Sequence, residues 1–340
     1  MQRRNFLKSA AALGLTTSAA AALPQTQTSP AQPKTPRAEV PGMIYRQLGT
    51  TGERVSAIGF GGYHIGKSPD AAASIALIRQ AIDHGITFLD NCWDYNDGIS
   101  EVRMGQALRD GYRAKTFLMT KMDGHTKDSY NKQLEQSLGR LQTDTIDLVQ
   151  FHEVIRMEDP DCIFAPGGAI EAAVAARQAG KLRYIGFTGH KDPAVHLRMF
   201  ETAQKHNFHF DTVQMPINVM DAHFRSFTNE VIPVALKQGT AILAMKTFGD
   251  RHILDSKTVE PIEALHYSLS QPVSVVITGI DSPAILDQAL QAARTFQPIS
   301  QTQMAALLAR TAQAASEGKF ELFKTTSQYD GTAANPKWLG

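Results

Sequence analysis

From residue 43 onward the chain alternates eight times between a short run of β-branched and aromatic residues and a longer stretch with apolar residues at helical spacing. The strand-like runs are residues 57–61, 87–90, 116–121, 144–151, 183–189, 212–215, 241–245 and 274–278. Between and after them, residues 71–84, 100–108, 127–141, 169–179, 193–205, 229–238, 261–269 and 283–292 can each lay Leu, Ile, Ala or Met along one face. Eight such pairs predict a (β/α)8 TIM barrel. A doubly wound sheet is the rival fold, but the turn after the first run reads GFGGYHIGK and lacks a G-x-G-x-x-G pattern. Residues 43–46 and 55–56, on either side of LGTTGE, predict an N-terminal β-hairpin across the barrel floor, and residues 301–316 predict an additional C-terminal helix.

With 340 residues, 43% of them hydrophobic, the chain can bury one large core. Thirty-four Lys and Arg against 33 Asp and Glu leave a net charge of +1, too little field to recruit nucleic acid. Cys92 and Cys162 make one disulfide at most and have no zinc-ligand spacing, so no metal is expected. The opening MQRRNFLKSAAALGLTTSAAAALPQ sets Arg3 and Arg4 before a weakly apolar Ala-rich run with small residues at Ala20 and Ala22. This is the layout of a twin-arginine export signal over residues 1–22. A flexible linker over 23–41 and the barrel with its C-terminal extension over 42–340 follow. The apolar run is too short and polar for a stable membrane anchor. The expected partner of the precursor is the twin-arginine export machinery and the expected destination the periplasm; without a signal it would be the cytoplasm.

Barrel enzymes carry their chemistry at the C-terminal ends of the strands. There the sequence sets Asp90, Lys121 and His152, with Tyr95 in the loop after Asp90. Taken singly, each has an ordinary reading as a cap, pocket filler or core histidine. Together they suit proton transfer to a carbonyl oxygen: Tyr95 as general acid, Lys121 lowering its pKa, Asp90 holding Lys121, and His152 donating to the substrate oxygen. No side chain here donates hydride, so the chemistry requires a nicotinamide cofactor.

The motifs YRQLGTTGERVSAIGFGG, FLDNCWDYNDGISEVRMGQAL, SLGRLQTDTIDLVQFH, GKLRYIGFTGH and VQMP, in that order, resemble the aldo-keto reductases. The resemblance runs from Met43 to about Ala293 and implies an NADP cofactor, with NAD possible, and a small carbonyl or alcohol substrate. It implies the same roles for Tyr95, Asp90, Lys121 and His152. It also sets Gly61, Gly62, Asp90, Thr188, Gln214, Met245, Lys246, Thr247, Gly279, Ser282 and Gln288 along the cofactor. Two departures stand out. Met245 replaces the tyrosine that commonly stacks on the nicotinamide, and Gly279 and Ile285 occupy the basic positions that clasp a 2′-phosphate. Tyr63, Trp93, His152 and Phe224 are the expected substrate pocket, with Trp338 in the C-terminal tail a further aromatic candidate. The alternative is a cofactor-binding or sensing protein of the same fold with little turnover.

Overall fold

A computed structural model describes residues 37–340, so the expected signal over 1–22 and most of the expected linker over 23–41 lie outside the described residues. The chain starts with an antiparallel hairpin, β1 (Tyr45–Gln47) and β2 (Arg54–Ser56), with Arg46 opposite Val55. Eight strands follow: β3 (Ile58–Gly61), β4 (Phe88–Asp90), β5 (Phe117–Met122), β6 (Ile146–Phe151), β7 (Leu182–Thr188), β8 (Thr212–Pro216), β9 (Ala241–Met245) and β10 (Val275–Gly279). They pair in parallel and in order, and β10 returns to β3, so the sheet is a closed barrel wrapped by helices. No helix among the described residues is long and apolar enough to cross a membrane.

Alternation along the strands sorts side chains to two sides. Outward residues such as Leu89, Leu118, Val149, Ile185 and Val213 join the core under the helices. Inward residues, among them Phe88, Phe117, Met119, Leu148, Tyr184, Leu243, Val275 and Ile277, fill the barrel, with Leu48 and Val55 of the hairpin region closing it below. Phe88 stacks on Phe117 at 5.4 Å between centroids. Gly59 makes room for this layer, since a Cβ there would lie 2.8 Å from Val275 Cγ1.

Below the apolar layers lies a buried ionic floor. Arg183 donates to Asp147 at 2.8 Å and pairs with Glu53; Arg37 donates to Glu53 at 2.8 Å and lies over the Phe117 ring. The last residues of the stretch 23–41 are therefore tied to the barrel.

The helix expected over 229–238 is two, Phe227–Glu230 and Ile232–Gln238, because Pro233 in the first turn of the second lacks an N–H and its ring crowds the preceding turn. The helix after the eighth repeat pair is Gln301–Ala315, opened by a capping box between Ser300 and Gln303. Beyond it the chain runs back over the C-terminal end of the barrel. Glu153 accepts from Gly331 N and Thr332 N at 2.9 and 2.7 Å, Asp330 pairs with His190 and Lys191, and Trp338 stands edge-on to Trp93 at 5.7 Å.

Candidate active site at the barrel mouth

Counting inward positions upward from the apolar layer leads, strand by strand, to Gly61, Asp90, Lys121, Thr188, Gln214, Met245 and Gly279, with His152 one residue past the end of β6. Register pairs Gly61 with both Asp90 and Gly279, and Thr188 with Gln214, while Asp90 lies opposite Met119 and Gln214 opposite Leu243, so Lys121 and Met245 stand one inward step higher on their strands. Together these positions cap the barrel interior.

At its centre is the Lys121 ammonium. It pairs with the Asp90 carboxylate, donates to the Asn91 carbonyl at 2.7 Å and reaches the Tyr95 hydroxyl at 3.3 Å. Burial pushes the Asp90 carboxyl up, against the pull of Lys121. Burial also pushes the Tyr95 phenol well above its ordinary value, and the negative charge of Asp90 adds to this. The direction differs from the lowering by Lys121 expected from sequence. Desolvation of the phenolate outweighs the neighbouring ammonium here, and the phenol is firmly protonated at neutral pH.

A strained loop aims Tyr95. Asn96, Asp97 and Gly98 all have positive φ, at 54°, 56° and 84°, and Asn96 donates to the Tyr63 carbonyl at 2.7 Å. Arg140 fixes the loop from behind, donating to the Trp93 carbonyl at 2.8 Å while paired with buried Glu101. A Cβ on Gly98 would lie 2.2 Å from Arg140 Cζ, so only glycine fits. The Tyr95 ring meets Tyr63 edge-on at 5.2 Å and His152 at 6.0 Å.

His152 is held from its far side. Its Nδ1 lies 2.8 Å from Asp123 Oδ1, 3.2 Å from Cys92 Sγ and 3.7 Å from Asp94 Oδ1. These four residues are of metal-ligand type, with ligand atoms within 4.8 Å of one another. The 2.8 Å separation is a hydrogen-bond length, shorter than the about 3.3 Å between two ligands on one tetrahedral zinc. The geometry is that of a hydrogen-bonded cluster. Asp123, Cys92 and Asp94 were missed from sequence, yet parity marks them: Lys121 and Asp123 are two apart, as are Asp90, Cys92 and Asp94.

The residues expected along a cofactor divide into two groups. Thr188, Gln214 and Met245 come together, with Gln214 Nε2 3.6 Å and Thr188 Oγ1 4.0 Å from Met245 Sδ. Gln214 Oε1 is buried without a hydrogen-bond partner, an acceptor suited to the carboxamide of a nicotinamide. Gly62 donates to the Asp90 carbonyl at 2.9 Å, and a Cβ on it would lie 2.5 Å from that oxygen. Gly61, Asp90 and Gly279 belong to the mouth itself, while Lys246, Thr247 and Ser282 have partners of their own. The Lys246 ammonium lies over the Phe323 and Tyr329 rings, where burial pushes its pKa down to about 8. The Thr247 hydroxyl meets Ser268 at 3.3 Å, and Ser282 caps the helix Pro283–Thr295, which carries half-buried Gln288. Gly279 is covered by the His64 ring, which a Cβ would meet at 2.4 Å.

Of the expected pocket residues, Tyr63 and His152 flank the Tyr95 ring, whereas Trp93 meets Trp338 and is anchored by its Nε1 donating to Gln136 at 2.7 Å. Phe224 packs beside Gly318 under the C-terminal segment.

The sequence and the barrel both match known proteins. The family model described as "Aldo/keto reductase family" matches residues 57–262. The chain belongs to the aldo/keto reductase family. Among curated relatives, "Aldo-keto reductase YhdN" of Bacillus subtilis is 31% identical over 212 residues, spanning 57% of this chain and 58% of that protein. L-galactose dehydrogenase of Arabidopsis thaliana is 33% identical over 156 residues, 42% of this chain and 48% of that one. The matches thus cover only about half of these relatives' length. The holo form of an aldo-keto reductase from Bacillus halodurans shares the fold with a TM-score of 0.65 at 20% identity, over 81% of this chain and 97% of that one.

Proposed function

We propose that this aldo/keto reductase moves hydride between NADP, or NAD, and a small carbonyl or alcohol substrate, with Tyr95 as the proton donor in reduction. The carrying observation is the Lys121 ammonium shared between Asp90, the Asn91 carbonyl and the Tyr95 hydroxyl at the centre of the barrel mouth. The cofactor, when bound, supplies hydride to the carbonyl carbon. As the carbonyl oxygen gains charge, the Tyr95 O–H gives up its proton to it, and the phenolate left behind lies 3.3 Å from the Lys121 ammonium. Asp90 pairs with Lys121 and aims it. His152 orients the substrate oxygen through Nε2. Gln214 and Thr188 would hold the carboxamide end, and Met245 would give a thioether contact where an aromatic ring is common.

Trp93 and Trp338, meeting edge to face at 5.7 Å, offer an apolar wall that, with the polar Tyr95 and His152, suits a hydroxylated substrate such as a sugar. The Arabidopsis relative is named for a sugar oxidation, which fits this choice. Export by the twin-arginine pathway to the periplasm is part of the proposal and rests on Arg3, Arg4 and the Ala-rich run. That pathway carries folded proteins, which suits an enzyme loaded with cofactor beforehand.

The test is a fluorescence titration of the folded chain with NADPH and with NADH. Saturable binding of either, tighter for the one used in turnover, is expected. A folded protein that binds neither ends the reading. Binding without turnover on any carbonyl would favour the sensing alternative.

A further inference from the structure

To donate to a carbonyl oxygen, His152 must carry hydrogen on Nε2; to accept from an alcohol, it must not. What sits on Nδ1 decides between the two. Nδ1 is 2.8 Å from Asp123 Oδ1, the Asp123 carboxyl is completely buried, and its Oδ2 has no hydrogen-bond partner. Nε2 makes no hydrogen bond to the protein among the described residues, which leaves it for substrate.

We propose that Asp123 is the positioning residue of His152, and that whether the Asp123–imidazole pair holds two protons or one sets Nε2 as donor to a carbonyl or acceptor from an alcohol. The proposal rests on the role given to His152 above. With two protons on the pair, either Asp123 O–H donates to Nδ1 or a carboxylate accepts from an imidazolium, and in both forms Nε2 bears hydrogen. With one proton, Nδ1–H donates to the carboxylate and Nε2 holds a lone pair. The first form matches the ketone or aldehyde side of the reaction, the second the alcohol side.

Burial draws both partners toward their neutral forms, raising the Asp123 carboxyl to about 7 and lowering the His152 imidazole. The second proton is therefore held below about pH 7 and lost above it, so reduction is favoured on the acid side. Other groups face the pair from every neighbouring element. Asp90 at the end of β4, with Cys92 and Asp94 in the loop after it, adds negative charge, although burial keeps the Cys92 thiol protonated. Lys121 from β5 opposes Asp94 and Glu153 at His152, and Glu101 from the helix Ile99–Ala107 acts on Asp123. His190 after β7, pushed down to about 3 by burial, stays neutral throughout, whereas burial pushes the Lys246 ammonium after β9 down to about 8. A profile of rate alone would mix these groups. The test therefore reads the histidine itself.

The full chain is labelled with 15N-histidine, and the His152 signals are identified by their loss in His152→Gln. In the wild type, Nε2 is expected to pass from protonated to unprotonated between about pH 5.5 and about 8.5, and in Asp123→Asn to keep one state across that range. Asp123→Glu, which keeps a carboxyl, is expected to restore a transition at a shifted midpoint. In parallel, kcat/KM for reduction is expected to fall by about tenfold or more through the same midpoint in the wild type and to lose that inflection in Asp123→Asn. An unchanged transition in Asp123→Asn, or none in the wild type, overturns the proposal. So does stoichiometric zinc in the purified wild type that is lost in Cys92→Ala, since the metal would then occupy Nδ1. A wild type that titrates as described but reduces no carbonyl leaves the proton pair standing and removes the reductase reading. One that reduces carbonyls with a His152 that does not titrate does the reverse.

Discussion

Gln214 shows how a single orphaned atom can carry a functional argument. Its side chain is buried in the middle of β8, Nε2 rests on the Met245 sulfur, and Oε1 has nothing to accept from. A buried carbonyl oxygen without a partner costs stability unless a ligand completes it. Gln214→Leu keeps the size and removes the acceptor, so it should weaken cofactor binding about tenfold, one hydrogen bond's worth, with little loss of thermal stability. Cofactor titration of the variant against the wild type measures this. Asp90, Lys121, Tyr95 and His152 were legible in the sequence because each ends or follows a strand. Asp123, Cys92 and Asp94 were passed over because a carboxylate just beyond a strand end looks like loop solvation until the strand's parity is carried two residues further. The direction of the Tyr95 shift was not legible at all, because it turns on how much water reaches the phenol.

At the scale of elements, the eight barrel strands could be read because nearly every residue in them is buried and the runs are short, apolar and bounded by turns. The boundaries moved where a local rule outvoted periodicity, as at Pro233. The C-terminal helix could be read from its pattern and its start from its cap: Ser300 Oγ accepts from Gln303 N while the Gln303 side chain returns to Ser300 N. Ser300→Ala should cost about 1 kcal/mol in denaturant unfolding and leave turnover unchanged, because the cap is exposed and lies outside the mouth. The tail after this helix could not be read. It has no period of its own, and its course is set by Glu153, His190, Lys191 and Gln133, which lie more than a hundred residues away in sequence.

For the whole molecule, polar residues gather at both ends of the barrel for opposite reasons. At the floor, Arg183 lies between Asp147 and Glu53 with Arg37 alongside, and these side chains are almost wholly buried. At the mouth, the same kinds of residue leave atoms free to meet a ligand. Floor residues should therefore govern stability and mouth residues turnover. Arg183→Met takes one of several partners from the buried Asp147 and Glu53 carboxylates, which keep Arg113 and Arg37, and should cost about 1.5–3 kcal/mol in unfolding while kcat holds wherever the protein stays folded. Paired unfolding and turnover curves test the division. A variant that lost activity but not stability would reverse the assignment of the two ends.

The central claim is that Tyr95 hands its proton to a carbonyl oxygen as hydride arrives. It is tested most directly by single-turnover reduction of an aldehyde with enzyme preloaded with NADPH or NADH, wild type beside Tyr95→Phe, following the loss of cofactor absorbance. The account predicts a fall of about 10²–10⁴-fold in the variant's rate with cofactor affinity unchanged. A Tyr95→Phe enzyme that oxidised its cofactor at the wild-type rate would contradict it.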